Sequence, residues 1–129
     1  FLINQKWYFV DLPGYGYAQV PVPVKEKWLR LIATYLENRE GLRAVVLLLD
    51  CRRVPGEAEL EIVEQLRAWQ RQVIVVLTKA DKVKNSQRAR HQKEIAAGLA
   101  PVGVEDFIWF SALTQEGRRE LWDRLQSVL

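Results

Sequence analysis

The 129 residues are enough for one domain with a sizeable core, and a content of 49% hydrophobic and 27% charged residues is that of an ordinary globular chain. A net charge of +3 with a pI near 9.2 permits a polyanionic partner without requiring one. No apolar run reaches the length of a membrane span, no signal peptide is legible, and the lone Cys51 cannot close an internal disulfide; a disulfide-built secreted scaffold is excluded, and a cytoplasmic, reducing setting is expected.

The chain opens on Phe1-Leu2-Ile3, already inside what reads as a strand, and contains no methionine, so these residues are expected to belong to a longer protein. A polar turn, Asn4 to Lys6, leads into Trp7 to Val10, whose aromatic and β-branched residues predict a largely buried strand and an antiparallel hairpin. Asp11, Leu12, Pro13 and Gly14 follow at its carboxyl end, then a Gly-Tyr-Gly-Tyr loop and Val20-Pro21-Val22-Pro23, where two prolines keep the chain extended and delay the next helix. Trp28, Leu31, Ile32, Tyr35 and Leu36 recur at helical spacing on one face, and Gly41 can end that helix. Ala44 to Leu49 and Val73 to Leu77 are unbroken apolar runs, as in parallel strands covered on both faces, with a helix marked by Leu60, Val63, Leu66 and Trp69 between them. Ser86 to Leu99 reads as a third helix capped by Asn85 or Ser86, Phe107 to Phe110 as a last strand, and Leu121, Trp122, Leu125, Val128 and Leu129 as a C-terminal helix. The alternation predicts a single domain with a three-layer, doubly wound α/β sheet, mostly parallel, with an antiparallel N-terminal hairpin.

In such a sheet ligands collect at the carboxyl ends of the strands. Asp11 at one such end can hold a hydrated Mg²⁺, and Gly14, lacking a Cβ, lets its backbone N–H approach a terminal phosphate. Thr78-Lys79-Ala80-Asp81 leaves the end of another strand. A carboxylate there can accept paired hydrogen bonds from N1–H and N2–H₂ of guanine, a donor pair that adenine lacks, while the Lys79 stem lies along the base. Phe110-Ser111-Ala112 ends the next strand, where small residues admit a backbone N–H close to a base carbonyl and Ser111 can brace the turn. Each stretch alone also fits a plain strand exit; their order, each after its own strand, favours the nucleotide reading. Gly14-Tyr15-Gly16 is not a dinucleotide fingerprint, because the third glycine is missing and prolines stand where a helix should begin.

These motifs resemble the translation-factor class of GTPases, and more closely the EngB-type ribosome-assembly GTPases. VDLPGYGYA (Val10 to Ala18), the start of the Lys25-Glu26-Lys27-Trp28 helix, LLLDCR (Leu47 to Arg52), LTKADK (Leu77 to Lys82) and FSALTQEG (Phe110 to Gly117) carry the resemblance. It implies a P-loop GTPase-like fold in which Asp11 contacts Mg²⁺ through water, Pro13 and Gly14 belong to the γ-phosphate-sensing loop, Thr78, Lys79 and Asp81 bind guanine, and Ser111 and Ala112 complete the base pocket. It also implies GTP and GDP as ligands, hydrolysis of GTP, the large ribosomal subunit or its rRNA as partner, a role in normal cell division and septation, and a monomer away from membranes. Asp50 and Arg52 match the family pattern too, with no physical role beyond shaping the strand exit. The family's GxxxxGK[ST] loop and switch threonine do not occur in these residues, nor does the central strand that carries the loop. The segment alone is therefore expected to be inactive, poorly stable and weak or silent toward GTP. Tyr15 stands where better-known relatives place a water-orienting glutamine, so hydrolysis is expected to need a group from elsewhere and to be slow in the intact protein alone. A non-hydrolysing ribosome- or RNA-binding module that keeps the fold is the alternative.

Lys79, Lys82, Lys84, Arg88, Arg90 and Lys93 face one acid, Asp81, between positions 79 and 93, a strip that reads either as a solvated face or as an RNA contact. His91, with no Cys or second His nearby, reads as an exposed helix residue. Tyr15 and Tyr17 fit a loop that orders on the γ-phosphate better than a platform for stacked RNA bases.

Overall fold

The computed structural model describes residues 1–12 and 22–129, without the side chains of Lys25 and Trp28. It divides into two compact units, Phe1–Leu42 with Leu129, and Arg43–Val128.

In the first unit β1 (Leu2–Ile3) pairs antiparallel with β2 (Trp7–Tyr8), Leu2 opposite Tyr8 and Ile3 opposite Trp7. Asn4 and Gln5 both take left-handed backbone, φ 51° and 55°, and the Lys6 N–H donates to the Ile3 carbonyl at 3.0 Å, which is how a two-residue hairpin matches strand twist. The strand expected to be buried is short and open, with Tyr8 76% and Val10 56% exposed. Helix α1 (Val22–Asn38) takes Pro23 into its first turn instead of waiting for it. The first backbone N–H groups of a helix have no intrahelical partner, so the missing donor costs little there. Ile32 and Tyr35 are half-buried and Leu36 is buried, but Leu31, predicted on the same face, is exposed.

The second unit is a parallel sheet in the order β3 (Val45–Asp50), β4 (Val73–Thr78), β5 (Ile108–Trp109). Helix α2 (Glu57–Ala68) connects the first pair, and α3 (Asn85–Leu99) lies between β4 and β5. Ile74, Val75, Val76 and Leu77 are buried, so β4 is covered on both faces as its apolar run predicts. β3 is not: Leu47 and Leu49 point inward while Val46 and Leu48 are 36% and 59% exposed. An unbroken apolar run does not distinguish two packed faces from one. Val63 and Leu66 of α2, Ile95 and Leu99 of α3 and Leu125 of α4 (Arg118–Val128) complete the core. Each such side chain contributes about 1.5–3 kcal/mol by leaving water.

Gly56 precedes α2, and its N–H donates to Glu59 Oε2 at 3.0 Å, supplying one orphan donor with an acceptor. The cap of α3 is neither Asn85 nor Ser86, which lie inside the helix, but Lys84 in extended backbone and without a side-chain bond. β5 is two residues long where four were expected, because the chain turns at Phe110 into the loop described next.

Candidate functional site

Register brings the ends of the three strands level. Asp50 pairs with Thr78, and Leu77 with Trp109, so Asp50, Thr78 and Phe110 leave the sheet along one rim. The Thr78 hydroxyl donates to the Leu49 carbonyl at 3.2 Å and the Cys51 N–H to the Thr78 carbonyl at 3.1 Å, which ties the two exits together. Lys79 then adopts left-handed backbone, φ 61° and ψ 36°, a conformation that costs a non-glycine residue about 1–2 kcal/mol. Its carbonyl accepts from the buried Cys51 thiol at 3.3 Å, and the next N–H, from Ala80, donates to the Phe110 carbonyl at 3.0 Å. Burial pushes the Cys51 thiol pKa up, with the Asp50 charge adding to it, so the sulfur keeps the proton it donates. With Ala80 wholly buried, the one-turn 3₁₀ segment Ala80–Lys82 presents Asp81 outward.

Ser111 is fully buried, and its hydroxyl donates to Asp81 Oδ1 at 2.8 Å while accepting the Thr114 N–H at 3.1 Å. A carboxylate has about four acceptor positions, and Oδ2 of Asp81 has no hydrogen-bond partner among the described residues. The result is an oriented, exposed carboxylate that can take two parallel donors. The Ser111 loop closes on itself through Gln115 N–H to the Ser111 carbonyl at 2.8 Å and Ser111 N–H to the Glu116 carbonyl at 3.1 Å. Gly117 ends it at φ 79°, where a Cβ would lie 1.9 Å from the Trp109 carbonyl oxygen, so the loop requires glycine. Ala112 is exposed next to Ser111.

Three further contacts were not foreseen. Asp50 accepts Arg52 three times, from its backbone N–H at 2.9 Å, Nε at 3.0 Å and Nη2 at 2.7 Å, and lies 3.6 Å from the Lys79 ammonium. The Arg52 hydrogen bond holds the Asp50 carboxyl well below the usual range, against opposing burial and with help from Lys79; Asp50 in turn raises Arg52. The pair therefore has a role beyond the strand exit, since it fixes the charge that faces the Lys79 head. Arg88 forms a two-pronged ion pair with Glu116 and also donates to the Ala80 carbonyl at 3.1 Å. His91 is half-buried, not exposed, with Nδ1 3.2 Å from the Cys51 carbonyl, which can only accept and so places a proton on Nδ1. The i, i+2 spacing of Asp50 and Arg52 is visible in the sequence. Nothing local marks Arg88 and Glu116, 28 positions apart.

The basic strip does not survive as a uniform face. Lys79 leans toward Asp50, Arg88 is spent on Glu116, and Arg90 pairs with Glu94 at 3.9 Å, leaving Lys82, Lys84 and Lys93 exposed. Thr78, Lys79, Asp81, Ser111 and Ala112 are thus brought onto one rim. Asp11 is an exposed residue of the other unit, and Pro13, Gly14, Tyr15 and Tyr17 lie outside the described residues. Among the described residues no three His, Cys, Asp or Glu side chains converge as a metal cage; a single exposed carboxylate such as Asp11 has the chemistry to hold a hydrated Mg²⁺ through water. No described helix is long and apolar enough to cross a membrane.

The same arrangement of strands and helices occurs in a solved structure of a probable GTP-binding protein EngB, with a TM-score of 0.72 and 25% identity over 92% of this chain and 75% of that one. The apo structure of elongation factor SelB from Methanococcus maripaludis shares the fold alone, with a TM-score of 0.65 and 20% identity over 92% of this chain and 24% of that one. The chain therefore has the α/β fold of the P-loop GTPases, as a three-stranded parallel sheet and a two-stranded antiparallel hairpin. No family model matches it. Curated relatives, each called a probable GTP-binding protein EngB, are 48% identical in Trichlorobacter lovleyi (93% of this chain, 60% of the relative), 47% in Syntrophotalea carbinolica (100% and 62%) and 44% in Citrifermentans bemidjiense (100% and 60%). Over the stretch of those proteins that it spans, the chain is a homologue of the EngB-type proteins. That stretch is about 60% of the length of these relatives.

Proposed function

We propose that this chain is the guanine-reading part of a domain that binds GTP and hydrolyses it to GDP and phosphate. The observation that carries the reading is the Asp81 carboxylate, turned out at the strand rim and oriented by the buried Ser111 hydroxyl at 2.8 Å. Guanine offers N1–H and N2–H₂ side by side, which two carboxylate oxygens accept together; adenine leaves a polar group unpaired. Lys79 covers the base with its aliphatic stem, Thr78 holds the strand exit beneath it, and the backbone beside Ala112 faces the base carbonyl. Asp11 would hold Mg²⁺ through water, with Pro13, Gly14 and Tyr15 in the loop that meets the γ-phosphate. Mg²⁺ supplies neutralisation of the charge that develops on the phosphates. Likeness to the EngB-type proteins supports a wider role for the intact protein, as a cytoplasmic monomer acting with the large ribosomal subunit or its rRNA in assembly and needed for normal septation.

The test is Asp81→Asn in the full-length protein, with GDP and xanthosine diphosphate compared by titration and GTP hydrolysis followed by phosphate release. An amide donates where the carboxylate accepted, so the GDP to xanthosine diphosphate preference should fall by at least about tenfold, or ~1.4 kcal/mol. An unchanged preference would overturn the base assignment. Nucleotide binding without any phosphate release by the unsubstituted protein would favour the non-hydrolysing module.

A further inference from the structure

We infer that Arg88 is a positioning residue for base selection: it clips the turn that carries Asp81 to the loop that carries Ser111 and so sets the angle at which the carboxylate meets the base. Both loops belong to the proposed guanine site, and the inference rests on that reading.

Arg88 lies on α3, in neither loop, yet it reaches both. Nη2 donates to the Ala80 carbonyl at 3.1 Å, one residue before Asp81, and to Glu116 Oε1 at 3.0 Å, while Nη1 donates to Glu116 Oε2. Its guanidinium lies over the Trp109 ring, 4.6 Å from the centroid, at the end of β5 from which the Ser111 loop departs. Glu116 closes that loop, since its carbonyl receives the Ser111 N–H. A planar fork with fixed donor directions can fix a spacing in a way that a lysine point charge cannot. The Glu116 hydrogen bond holds the Arg88 pKa above its ordinary value, in keeping with a permanent charge. Arg88 Nε is sealed from solvent without a hydrogen bond, a cost that the other contacts must outweigh.

Two bonds link the loops directly, Ala80 N–H to the Phe110 carbonyl along the backbone and Ser111 Oγ to Asp81 Oδ1, and only the second touches the carboxylate. One bond fixes a distance and leaves rotation of the carboxylate free. The clip, on the Ala80 carbonyl and the Glu116 carboxylate, narrows that freedom by holding the backbone turn before Asp81 against the loop of Ser111, so that the carboxylate leaves its Cα in one direction. Without it, one oxygen of Asp81 can still meet N1–H, but the second bond, to N2–H₂, loses its alignment. The loss should appear as poorer discrimination between guanine and hypoxanthine, which keeps N1–H and lacks the N2 amine.

The experiment measures dissociation constants for GDP and inosine diphosphate in the full-length protein carrying Arg88→Gln, Arg88→Lys or Glu116→Gln, with melting temperature recorded in parallel. Arg88→Gln is expected to narrow the ratio of the two constants by about fivefold, as loss of alignment at one hydrogen bond implies, with smaller narrowing in the other two. A merely structural residue would lower the melting temperature and the active fraction and leave the ratio where it was. If Arg88→Gln does not fold, the two milder variants decide the matter by the same ratio. An unchanged ratio in the folded variants overturns the inference. Asp81→Asn run alongside separates the two failures: if it too leaves base preference untouched, the guanine reading has failed; if it shifts preference and the Arg88 variants do not, only the clip has failed.

Discussion

At the scale of single residues the rim is held by charges that have already found partners, and Asp50 shows how this governs its response to pH. Its carboxylate is fastened by Arg52 and approached by Lys79, so its pKa in the folded chain lies below the value of about 3.9 for a free aspartate. A group depressed in the folded state stabilises that state above its unfolded pKa, and the contribution is lost as pH falls through the folded value. Asp50→Asn in the full-length protein should therefore lower stability to urea at pH 7, and the deficit should shrink progressively as pH drops below about 4, where Asp50 of the unfolded chain takes up a proton while the folded carboxylate, fastened to Arg52, still does not. A deficit of constant size from pH 7 to pH 3 would mean that the charge of Asp50 is irrelevant and only its shape counts. The same variant releases the Lys79 head from its acidic neighbour.

At the scale of elements, β4 is the member on which the others depend, since it pairs with both β3 and β5 and is buried on both faces. Leu77 is fully buried one residue before the Thr78 exit, so Leu77→Ala leaves a cavity directly beneath the rim; a loss of about 2–5 kcal/mol is expected in urea unfolding of the full-length protein. A loss under about 1 kcal/mol would show that the sheet collapses onto the site without cost. The order and type of the elements were legible in the sequence because the apolar runs of β3 and β4 and the helical spacing in α2 are strong signals. The hidden details were those set by partners distant along the chain, namely which face of β3 is covered and that β5 gives way early to a loop; Pro23 was misplaced for a local reason, since a first turn tolerates the missing N–H. The candidate site divides in the same manner. TKAD and SA were readable as strand exits, and the Asp81 to Ser111 bond makes one feature of them, whereas Arg88, His91 and Glu116 gave no sign because their partners lie 28 to 40 positions away.

For the whole molecule, the decisive distinction is between reading a base and holding a nucleotide. A carboxylate and a serine at a strand rim provide selectivity, but most of the charge on GDP is on its phosphates, and no GxxxxGK[ST] stretch occurs among the 129 residues to wrap them with backbone N–H groups and a lysine. The phosphate cradle and the base pocket also act on one covalently joined ligand, so either part alone must overcome the full cost of immobilising it, of the order of 4–15 kcal/mol. Two buried hydrogen bonds to the base, at about 1.5–3 kcal/mol each when one partner is charged, match at most the low end of that cost. The 129 residues in isolation should therefore bind GDP with a dissociation constant no tighter than about 1 mM, while the full-length protein binds in or below the micromolar range. Calorimetric titration of both with GDP, with circular dichroism to establish that the isolated chain is folded, checks this. Micromolar binding by the folded chain alone would mean that the rim holds the phosphates by groups other than a glycine-rich loop, and the division of labour drawn here would be wrong.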